Sequence, residues 1–586
     1  MGVDLSVKIL LLASAFNGLT QRIWCELREA GHEVTVELAV DPETVISGIE
    51  AAKPDLVLCP FLRERVPEQI WRYWRTVIIH PGPVGDRGTS SLDHAILSQA
   101  PVWGVTALQA IDEMDAGPIW ATRTFAMPAQ PPRKSDLYNG PVTDAAVACA
   151  LEVVAKAADL SFVPTPLEFA DRAVPGTGLL PTLRQADRAF SWNEEPEQIV
   201  RRIRAADGAP GIRTSLLDLP VFAYDAHVGT ASGLPGAVLA RHESAVLVGT
   251  GGGSVWLGHL KRAVPPDQPD QSAQPTRPGQ ADQSAQPAGP GQPAQPGQPA
   301  LKLPAALVLG ERLRAVPVSR TGPPRWLTYT RHGRVGTLTF RAYNGALSTH
   351  QCRHLATALD QALRQDTRVL VVRGDDHVFS NGVHLNVIEA AADPAAEAWA
   401  NIRAINAVCR QLATPCGQTI VVAYSGNAGA GGAMMGLGAG VTVARAGVVL
   451  NPYYDIGLYG SELHTQTLPA RVGLAVAQRL LTERLPVTAG QAAGLGMIDE
   501  VGPGDVAAFD HWLTERAQAW AGRSRVAMAD CADRPSRPLS YYEATELAEM
   551  ARDMFDDRDG FAARRHDFVF KRRPDATPLR LATHRG

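Results

Sequence analysis

The chain has 586 residues, of which 45% are hydrophobic and 20% are charged. This composition excludes a wholly disordered chain, and the length is enough for several globular domains. Lys and Arg total 56 against 60 Asp and Glu, so the formal net charge of −4 speaks against a nucleic-acid-binding protein. The seven cysteines form no C-x-x-C pair, which argues against a zinc site and favours reduced thiols. No apolar run approaches the roughly 20 residues of a membrane span, so we expect no membrane binding. Together with the cysteine pattern, this favours a cytoplasmic protein that binds no metal.

Strands and helices alternate in the N-terminal third of the sequence. Apolar runs predict four strands, at Val7–Ala13, Glu33–Val40, Asp55–Cys59 and Val77–Ile79. Asp41 and Pro42 are typical of a helix start, and this helix is predicted to run towards Ala52. Strands separated by helices of this length indicate a doubly wound, Rossmann-like parallel sheet.

The pattern changes between Asp171 and Arg262, where short strands predict a small OB-like β-barrel. A helix is predicted before them at Pro196–Ala206. The predicted strands are Val221–Tyr224, Gly236–Leu239, Ala245–Val248 and Ser254–Leu257, with a hairpin turn at Gly249–Gly253. Leu301–Leu313 is predicted to return to the same domain.

The stretch from Pro265 to Ala300 is rich in Pro and Gln and contains no aromatic or β-branched aliphatic residue. Such a segment cannot bury enough apolar surface to offset its ordering entropy, so we predict a disordered spacer or loop insertion. P-x-x-P spacing also recurs there, which leaves an SH3-like ligand open. We therefore predict three domains, at residues 1–170, at 171–318 with an insertion at 264–300, and at 319–586.

A second α/β unit begins at about Arg325. Its predicted elements are a strand at Val335–Arg341, a helix at His350–Gln365, buried strands at Arg368–Arg373 and Thr419–Tyr424, and helices after Leu468. The last of these helices are predicted to cover the core of the unit.

A possible acid/base pair lies in the first unit. His80 follows a predicted strand, and Asp115 lies in a turn before Gly117. Side chains beyond the carboxyl ends of parallel strands meet at the ligand crevice, where a His and an Asp can exchange protons with a substrate. The same pattern also fits a structural histidine.

Residues 6–260 resemble the formyltransferases that use 10-formyltetrahydrofolate, the methionyl-tRNA formyltransferase group. Three features carry the resemblance: His80-Pro81 followed by Arg87-Gly88, the acidic turn Asp115-Ala116-Gly117, and the Ile203-Arg204-Ala205 helix before the barrel. The resemblance implies that His80 is the acid/base group and Asp115 its partner. It also implies that the folate contacts the backbone of a loop made of Leu58, Cys59, Pro60, Phe61, Leu62 and Arg63.

The sequence departs from this family at Ile78, where the family has an Asn. An apolar side chain cannot donate a hydrogen bond to a developing oxyanion. The departure therefore speaks against an aminoacyl-tRNA as the acceptor of the formyl group.

Two glycine-bearing stretches each follow a predicted buried strand in the C-terminal unit. They are Gly374–Leu385 and Ser425–Met434. Backbone N–H groups at such places can converge on a carbonyl oxygen. Alternatively, the glycines only permit close packing of a helix on a sheet.

Residues 325–505 resemble the enoyl-CoA hydratase/isomerase (crotonase) superfamily, through Phe379–Leu385 and Gly426–Gly432. The resemblance implies that the N–H groups of Val383 and Gly431 form an oxyanion hole for an acyl-CoA thioester. It also implies contacts with coenzyme A from Phe379, Ser380, Asn381, Gly382 and Gly432.

The paired glutamates of the hydratases fall at about Met434 and Tyr453 in this sequence. Without those carboxylates, the addition of water to a double bond lacks its acid/base pair. Tyr453 and Glu462 are the polar side chains predicted to reach the thioester carbon, although Tyr453 also fits an ordinary packing aromatic.

The combination of a formyltransferase unit with a crotonase unit resembles the HypX-type (HoxX-type) hydrogenase-maturation proteins. The stretch from Leu450 to Glu462 is similar to a sequence typical of that family. The resemblance implies synthesis of the carbon monoxide ligand of the NiFe-hydrogenase active site. A formyl group would pass from 10-formyltetrahydrofolate to coenzyme A, and formyl-CoA would then lose carbon monoxide.

Three alternatives stay open at the level of the sequence. One is a formyltransferase with an amine acceptor and a degenerate crotonase half. The second is a formyl-CoA hydrolase, and the third is a non-catalytic scaffold for hydrogenase assembly. In each case we expect a monomer, with small-molecule substrates or hydrogenase-maturation factors as its partners.

Overall fold

The computed structural model describes residues 6–159, 161–263, 300–453, 455–522 and 537–586. The predicted disordered insertion lies outside the described residues, except for Ala300. The chain forms two compact units. The first combines the residues up to Leu260 with Ala305–Pro323 and Arg573–Gly586, and the second combines Lys261–Pro304 with Pro324–Arg572. The finer division into three domains remains a prediction.

The first unit is built on a sheet with the strand order β2-β1-β3-β4-β5-β6. Its strands are β1 (Lys8–Ala13), β2 (Glu33–Leu38), β3 (Leu56–Phe61), β4 (Thr76–His80), β5 (Val102–Gln109) and β6 (Ile119–Ala126). The first four strands pair in parallel, as predicted, but β5 and β6 are antiparallel additions. The prediction covered only the four parallel strands, and β5 and β6 extend the sheet beyond them as an antiparallel hairpin.

Helices connect the strands of this sheet, and further helices follow later in the first unit. They are α1 (Gly18–Glu29), α2 (Pro42–Ala52), α3 (Glu68–Trp71), α4 (Ser91–Leu97), α5 (Lys134–Leu137), α6 (Thr143–Ala157), α7 (Gln185–Arg188), α8 (Pro196–Ala205) and α9 (Ala305–Leu309). The predicted start of α2 is confirmed, because the Asp41 side chain accepts a hydrogen bond from Thr44 N at 2.9 Å. The predicted return of Leu301–Leu313 is confirmed from Ala305 onward, because Ala305–Pro323 belongs to the first unit and begins with α9.

A second sheet in the first unit has the order β7-β8-β11-β10-β9. Its strands are β7 (Ile212–Leu216), β8 (Leu219–Gly229), β9 (Val238–His242), β10 (Ala245–Gly249) and β11 (Ser254–Arg262). The pairs β7/β8, β9/β10 and β10/β11 are antiparallel. The predicted strands and the hairpin turn are present, whereas a closed barrel remains a prediction.

Residues 573–586 belong to the first unit and lie along its edge strand β2. Val36 N donates to the carbonyl oxygen of Leu581 at 2.9 Å, and Leu38 N donates to Thr577 Oγ1 at 2.8 Å. The fully buried Glu37 carboxylate accepts hydrogen bonds from Thr577, His584 and Arg585. This segment therefore supplies backbone and charge partners that β2 would otherwise lack.

The second unit contains two sheets, with the orders β13-β14-β15-β17-β19-β22 and β16-β18-β20-β21. Together with the short β12 (Lys302–Pro304), its strands are β13 (Leu327–His332), β14 (Val335–Phe340), β15 (Val369–Arg373), β16 (Val378–Ser380), β17 (Thr419–Tyr424), β18 (Asn427–Gly429), β19 (Val441–Arg445), β20 (Val449–Asn451), β21 (Val487–Thr488) and β22 (Glu500–Gly502).

Helices enclose the apolar core of the second unit. They are α10 (Thr349–Leu363), α11 (Leu385–Glu389), α12 (Pro394–Ala413), α13 (Gly431–Met434), α14 (His464–Val472), α15 (Leu474–Glu483), α16 (Ala489–Gly494), α17 (Val506–Gly522), α18 (Leu539–Phe555) and α19 (Phe561–Val569). Within the described ranges, no helix has both the length and the apolar character needed to cross a lipid bilayer.

Candidate active sites

In the first unit, His80 is the last residue of β4 and is only 5% exposed. Its Nε2 atom lies 2.8 Å from Asp86 Oδ2, and its Nδ1 atom lies 3.6 Å from Asp115 Oδ2. The structure thus brings together the predicted pair of His80 and Asp115, and it adds Asp86. Two carboxylates orient the imidazole ring from opposite edges.

Asp86 is a functional candidate that the sequence reasoning missed. Its side chain is fully buried, and its Oδ1 atom has no hydrogen-bond partner among the described residues. A Cβ at Gly82 would overlap both the Asp86 carboxylate and the His80 ring, so the contact requires glycine there. The sequence signal that could have identified Asp86 was its position six residues after His80, because so short a loop keeps the side chain near the end of β4.

Asp115 lies in the turn between β5 and β6, with a left-handed φ of +52°. Its Oδ2 atom accepts a hydrogen bond from Gly88 N at 3.1 Å. Asp can adopt this conformation at modest cost. The turn therefore fixes the carboxylate close to His80.

The predicted folate-contacting loop is mostly a strand, which corrects the expectation for this stretch. Leu58, Cys59, Pro60 and Phe61 are the last residues of β3. Leu58 and Cys59 are fully buried, and Leu58 pairs with both β1 and β4. After the strand, Leu62 is half-buried and the exposed Arg63 lies over the Phe61 ring at 5.2 Å, and the folate contact of this stretch remains a prediction.

In the second unit, the two glycine-bearing loops meet. Gly382 has a φ of +75°, and a Cβ on it would lie 3.2 Å from Gly431 N. The amide N–H groups of Val383 and Gly431 donate to no acceptor in the part of the chain that the structure describes. Two unsatisfied amides on adjoining loops can both bind one carbonyl oxygen.

The glycines of the second loop are needed for close approach. A Cβ at Gly431 would overlap the Glu462 carboxylate, and a Cβ at Gly432 would overlap the carbonyl oxygen of Ser380. Gly431 therefore lies directly against Glu462, one of the predicted catalytic side chains.

The predicted coenzyme A contacts divide into buried and accessible residues. The Phe379 ring is 1% exposed and packs in the core against Tyr424, with ring centroids 4.6 Å apart. Ser380 is fully buried, and its Oγ atom accepts a hydrogen bond from Gly382 N at 3.0 Å. These two buried side chains shape the loop, whereas Asn381 is exposed, and the contact of this loop with coenzyme A remains a prediction.

Tyr453 and Glu462 form a buried pair. The Tyr453 hydroxyl lies 2.8 Å from Glu462 Oε2 and 2.8 Å from the carbonyl oxygen of Ser461. The two residues are 9% and 3% exposed. A Cβ at Gly460, where φ is +103°, would press against the Tyr453 ring, so that glycine leaves room for the phenol.

Burial changes the acidity of this pair. It raises the pKa of Glu462 to about 7, an effect that the hydrogen bond from Tyr453 opposes and the negative charge of Glu546 strengthens. Burial and the neighbouring Glu462 carboxylate raise the pKa of Tyr453 well above its usual value. Glu462 is therefore able to exchange a proton near neutral pH, while Tyr453 stays a neutral donor.

The position of the missing hydratase glutamate is apolar. Met434 is fully buried at the end of α13. The second unit thus has the amide pair that suits a thioester carbonyl oxygen. The carboxylate beside that pair is Glu462, which does not lie at the position of a hydratase glutamate.

A cavity of about 600 Å³ is lined in part by Tyr453. Its lining includes Tyr453, Tyr459 and His464 but neither Val383 nor Gly431. This cavity therefore borders the candidate site through Tyr453 without reaching the amide pair.

Comparisons with known proteins fit both units. The family model for enoyl-CoA hydratase/isomerase matches residues 332–575, and that for the formyl transferase C-terminal domain matches residues 182–268. The hydrogenase maturation factor HoxX of Bradyrhizobium diazoefficiens is 38% identical over 590 residues, covering 99% of this chain and 97% of that protein. A methionyl-tRNA formyltransferase of Geobacter metallireducens is 24% identical over 237 residues, covering 40% of this chain and 74% of that enzyme.

The fold has a full-length counterpart. The crystal structure of HypX from Aquifex aeolicus in complex with tetrahydrofolic acid shares 33% identity, with a TM-score of 0.88 and 99% of both chains covered. A formyltransferase-like part joined to an enoyl-CoA hydratase-like part, matched along the whole length, defines a class of hydrogenase maturation factors. The chain belongs to the HypX/HoxX family of that class.

Proposed function

We propose that this protein makes the carbon monoxide ligand of the NiFe-hydrogenase active site. A formyl group moves from 10-formyltetrahydrofolate to the thiol of coenzyme A, and formyl-CoA is then split into carbon monoxide and coenzyme A. Membership of a hydrogenase-maturation family supports the first part of this proposal. The tetrahydrofolic acid in the Aquifex aeolicus HypX structure supports a folate as the formyl donor.

The first step is assigned to the His80 cluster. His80 takes the proton of the attacking thiol and returns it to N10 of the folate as the carbon–nitrogen bond breaks. Asp86 and Asp115 hold the ring for this transfer through contacts of 2.8 and 3.6 Å. Ile78 offers no donor for the oxyanion, so the imidazole has to carry more of that stabilisation than in an amine-directed enzyme.

The second step is assigned to Glu462 and the amide pair. The unsatisfied N–H groups of Val383 and Gly431 fit a thioester carbonyl oxygen. Coenzyme A supplies a thiolate leaving group. Glu462 accepts the formyl proton as the carbon–sulfur bond breaks and then protonates the departing sulfur, so formyl-CoA yields carbon monoxide and free thiol in balance.

One observation carries this proposal. The buried Glu462 carboxylate lies against Gly431, and its pKa is raised to about 7. Formyl-CoA has no α-carbon, so enolate chemistry of the usual crotonase kind is impossible. A single proton acceptor beside the carbonyl is all that loss of carbon monoxide requires.

The test is incubation of the full chain with 10-formyltetrahydrofolate and coenzyme A, with carbon monoxide trapped by haemoglobin. We expect a signal that requires both substrates and is lost in His80→Ala. A wild-type signal no higher than that of His80→Ala would overturn the proposal.

Product analysis separates the alternatives. Formate in place of gas would indicate a formyl-CoA hydrolase, and folate turnover without coenzyme A would indicate an amine acceptor. Normal hydrogenase maturation after substitution of both His80 and Tyr453 would indicate a scaffold.

A further inference from the structure

Glu546 is a buried carboxylate that the proposed chemistry does not use. It lies on α18, about 80 residues after Glu462 in sequence, and has no exposed surface. Its Oε1 atom accepts hydrogen bonds from Thr465 N at 2.8 Å and Thr465 Oγ1 at 2.6 Å. Its Oε2 atom accepts from Leu463 N at 2.9 Å and is 3.4 Å from Ser461 Oγ. Both oxygens are therefore committed to the segment that carries Glu462.

That segment has a strained backbone. Glu462 and Leu463 have φ angles of +62° and +61°, two consecutive side-chain-bearing residues in the left-handed region. Such residues persist only where their surroundings hold them, and they cluster at functional sites.

Two side chains from separate helices hold this turn. Asn406, on α12, accepts a hydrogen bond from Glu462 N at 3.0 Å, and its amide nitrogen donates to Ser461 Oγ at 2.8 Å. Glu546 accepts from the next amide along, Leu463 N. Since α14 begins at His464, Glu546 also satisfies amides at the start of that helix, where a negative charge is favourable.

The turn decides where the Glu462 carboxylate points. It places Oε2 at 2.8 Å from the Tyr453 hydroxyl and Oε1 against Gly431. A relaxed backbone at Glu462 and Leu463 would move the carboxylate from its place against Gly431.

We propose that Glu546 is a positioning residue of the second site, which holds the strained Glu462–Leu463 turn so that the Glu462 carboxylate lies against Gly431. Glu546 itself touches no reacting atom. Its effect on carbon monoxide release rests on the function proposed above, whereas its effect on the turn and on Glu462 does not.

The charge of Glu546 also acts on Glu462. The titratable groups around the Glu462 carboxylate are Tyr453 after β20, Cys352 on α10, Cys409 on α12, His464 on α14 and Glu546 on α18. Of these, Glu546 adds to burial in raising the pKa of Glu462. Loss of its charge therefore lowers that pKa, a change that a purely structural side chain would not cause.

The experiment compares wild type with Glu546→Gln in the full chain. Infrared difference spectra without substrate follow the Glu462 carboxyl band, identified by its absence in Glu462→Gln. We expect the band to titrate at lower pH in Glu546→Gln. With formyl-CoA, we expect kcat to fall about 10–10²-fold and KM to stay the same, as for a misplaced catalytic group.

Glu543→Gln is the matched control. Glu543 lies one turn earlier on α18 and pairs with Arg410 at 2.8 Å, away from the turn. We expect it to leave the infrared titration and kcat at the wild-type values. Unchanged titration and kcat in Glu546→Gln would overturn the proposal.

A second variant keeps the proposal testable if Glu546→Gln folds poorly. Glu546→Asp keeps the charge but shortens the reach to Leu463 N and Thr465 N, so kcat should fall while Glu462 titrates close to wild type. Wild-type kcat in Glu546→Asp would contradict the positioning role. Absence of carbon monoxide from wild type would count against the proposed function alone, because the infrared comparison still decides whether Glu546 controls Glu462.

Discussion

Glu462 is a buried carboxylate that must be ionised to accept a proton. Because burial raises its pKa to about 7, the carboxylate is mostly protonated at pH 6 and mostly ionised at pH 8. We predict that carbon monoxide release from formyl-CoA rises with pH through about 7. A pH profile of kcat measures this, and a flat profile between pH 5.5 and 8.5 would show that Glu462 is not the base.

Asp86 is a second single residue with a testable role, because its carboxylate holds the His80 ring. We predict that Asp86→Asn lowers formyl transfer from the folate about 10–10²-fold, because His80 loses the partner of its Nε2 atom. Release of carbon monoxide from supplied formyl-CoA should stay at the wild-type rate. The matched control is Asp112→Asn, on an 82% exposed side chain, and equal loss of both activities in Asp86→Asn would instead indicate misfolding.

At the scale of elements, the α13 helix and the turn before α14 have to approach each other closely. We predict that Gly431→Ala lowers carbon monoxide release about 10²-fold, because its Cβ displaces the Glu462 carboxylate from the amide pair. Gly494→Ala, whose Cβ meets no atom within 4 Å, should behave as wild type. Thermal unfolding and steady-state kinetics of both variants test this, and a Gly431→Ala variant with full activity would refute the geometry.

Much of the element pattern followed from the sequence. Continuous apolar runs predicted the parallel strands β1, β3, β15 and β17, because a strand buried on both faces has no polar side. The hairpin of β5 and β6 was missed, since its strands mix apolar residues with Thr and Arg. For Leu301–Leu313 the sequence predicted only a return to the same domain, because periodicity cannot distinguish a strand from a helix in so short an apolar run.

The candidate sites were predictable where a strand end or a family motif marked the residue, as for His80, Asp115, Val383 and Gly431. Asp86 was missed although it lies within one loop of His80. Glu546 contacts residues about 80 positions earlier, and one sequence carries no sign of such a contact. The burial of Phe379 was not foreseen either, because a motif does not show which of its side chains point into the core.

At the scale of the whole molecule, residues 573–586 are part of the first unit. Burial alone would raise the pKa of Glu37, but hydrogen bonds from His584, Arg585 and Thr577 outweigh it and lower that pKa. The resulting stabilisation is fully present above the usual pKa of a glutamate. It is lost as the pH falls through the lowered value, so the first unit should weaken in acid.

We predict that His584→Ala lowers the free energy of unfolding by about 1–3 kcal/mol, because a buried carboxylate loses one partner. The control is His511→Ala, on a 77% exposed side chain, which should change it by less than about 0.5 kcal/mol. Urea unfolding of both variants at pH 7 measures the difference. Equal midpoints would show that the Glu37 cluster does not stabilise the protein.

The contact between β2 and residues 573–586 joins two parts of the chain that are translated at very different times. The ribosome makes β2 early, but the residues that cover its outer edge are translated only after the entire crotonase-like part. A nascent chain interrupted before that point would present a bare sheet edge, which invites aggregation and proteolysis. A fragment that ends before residue 573 would therefore lack the outer partner of β2, so completion of the first unit depends on translation of the second.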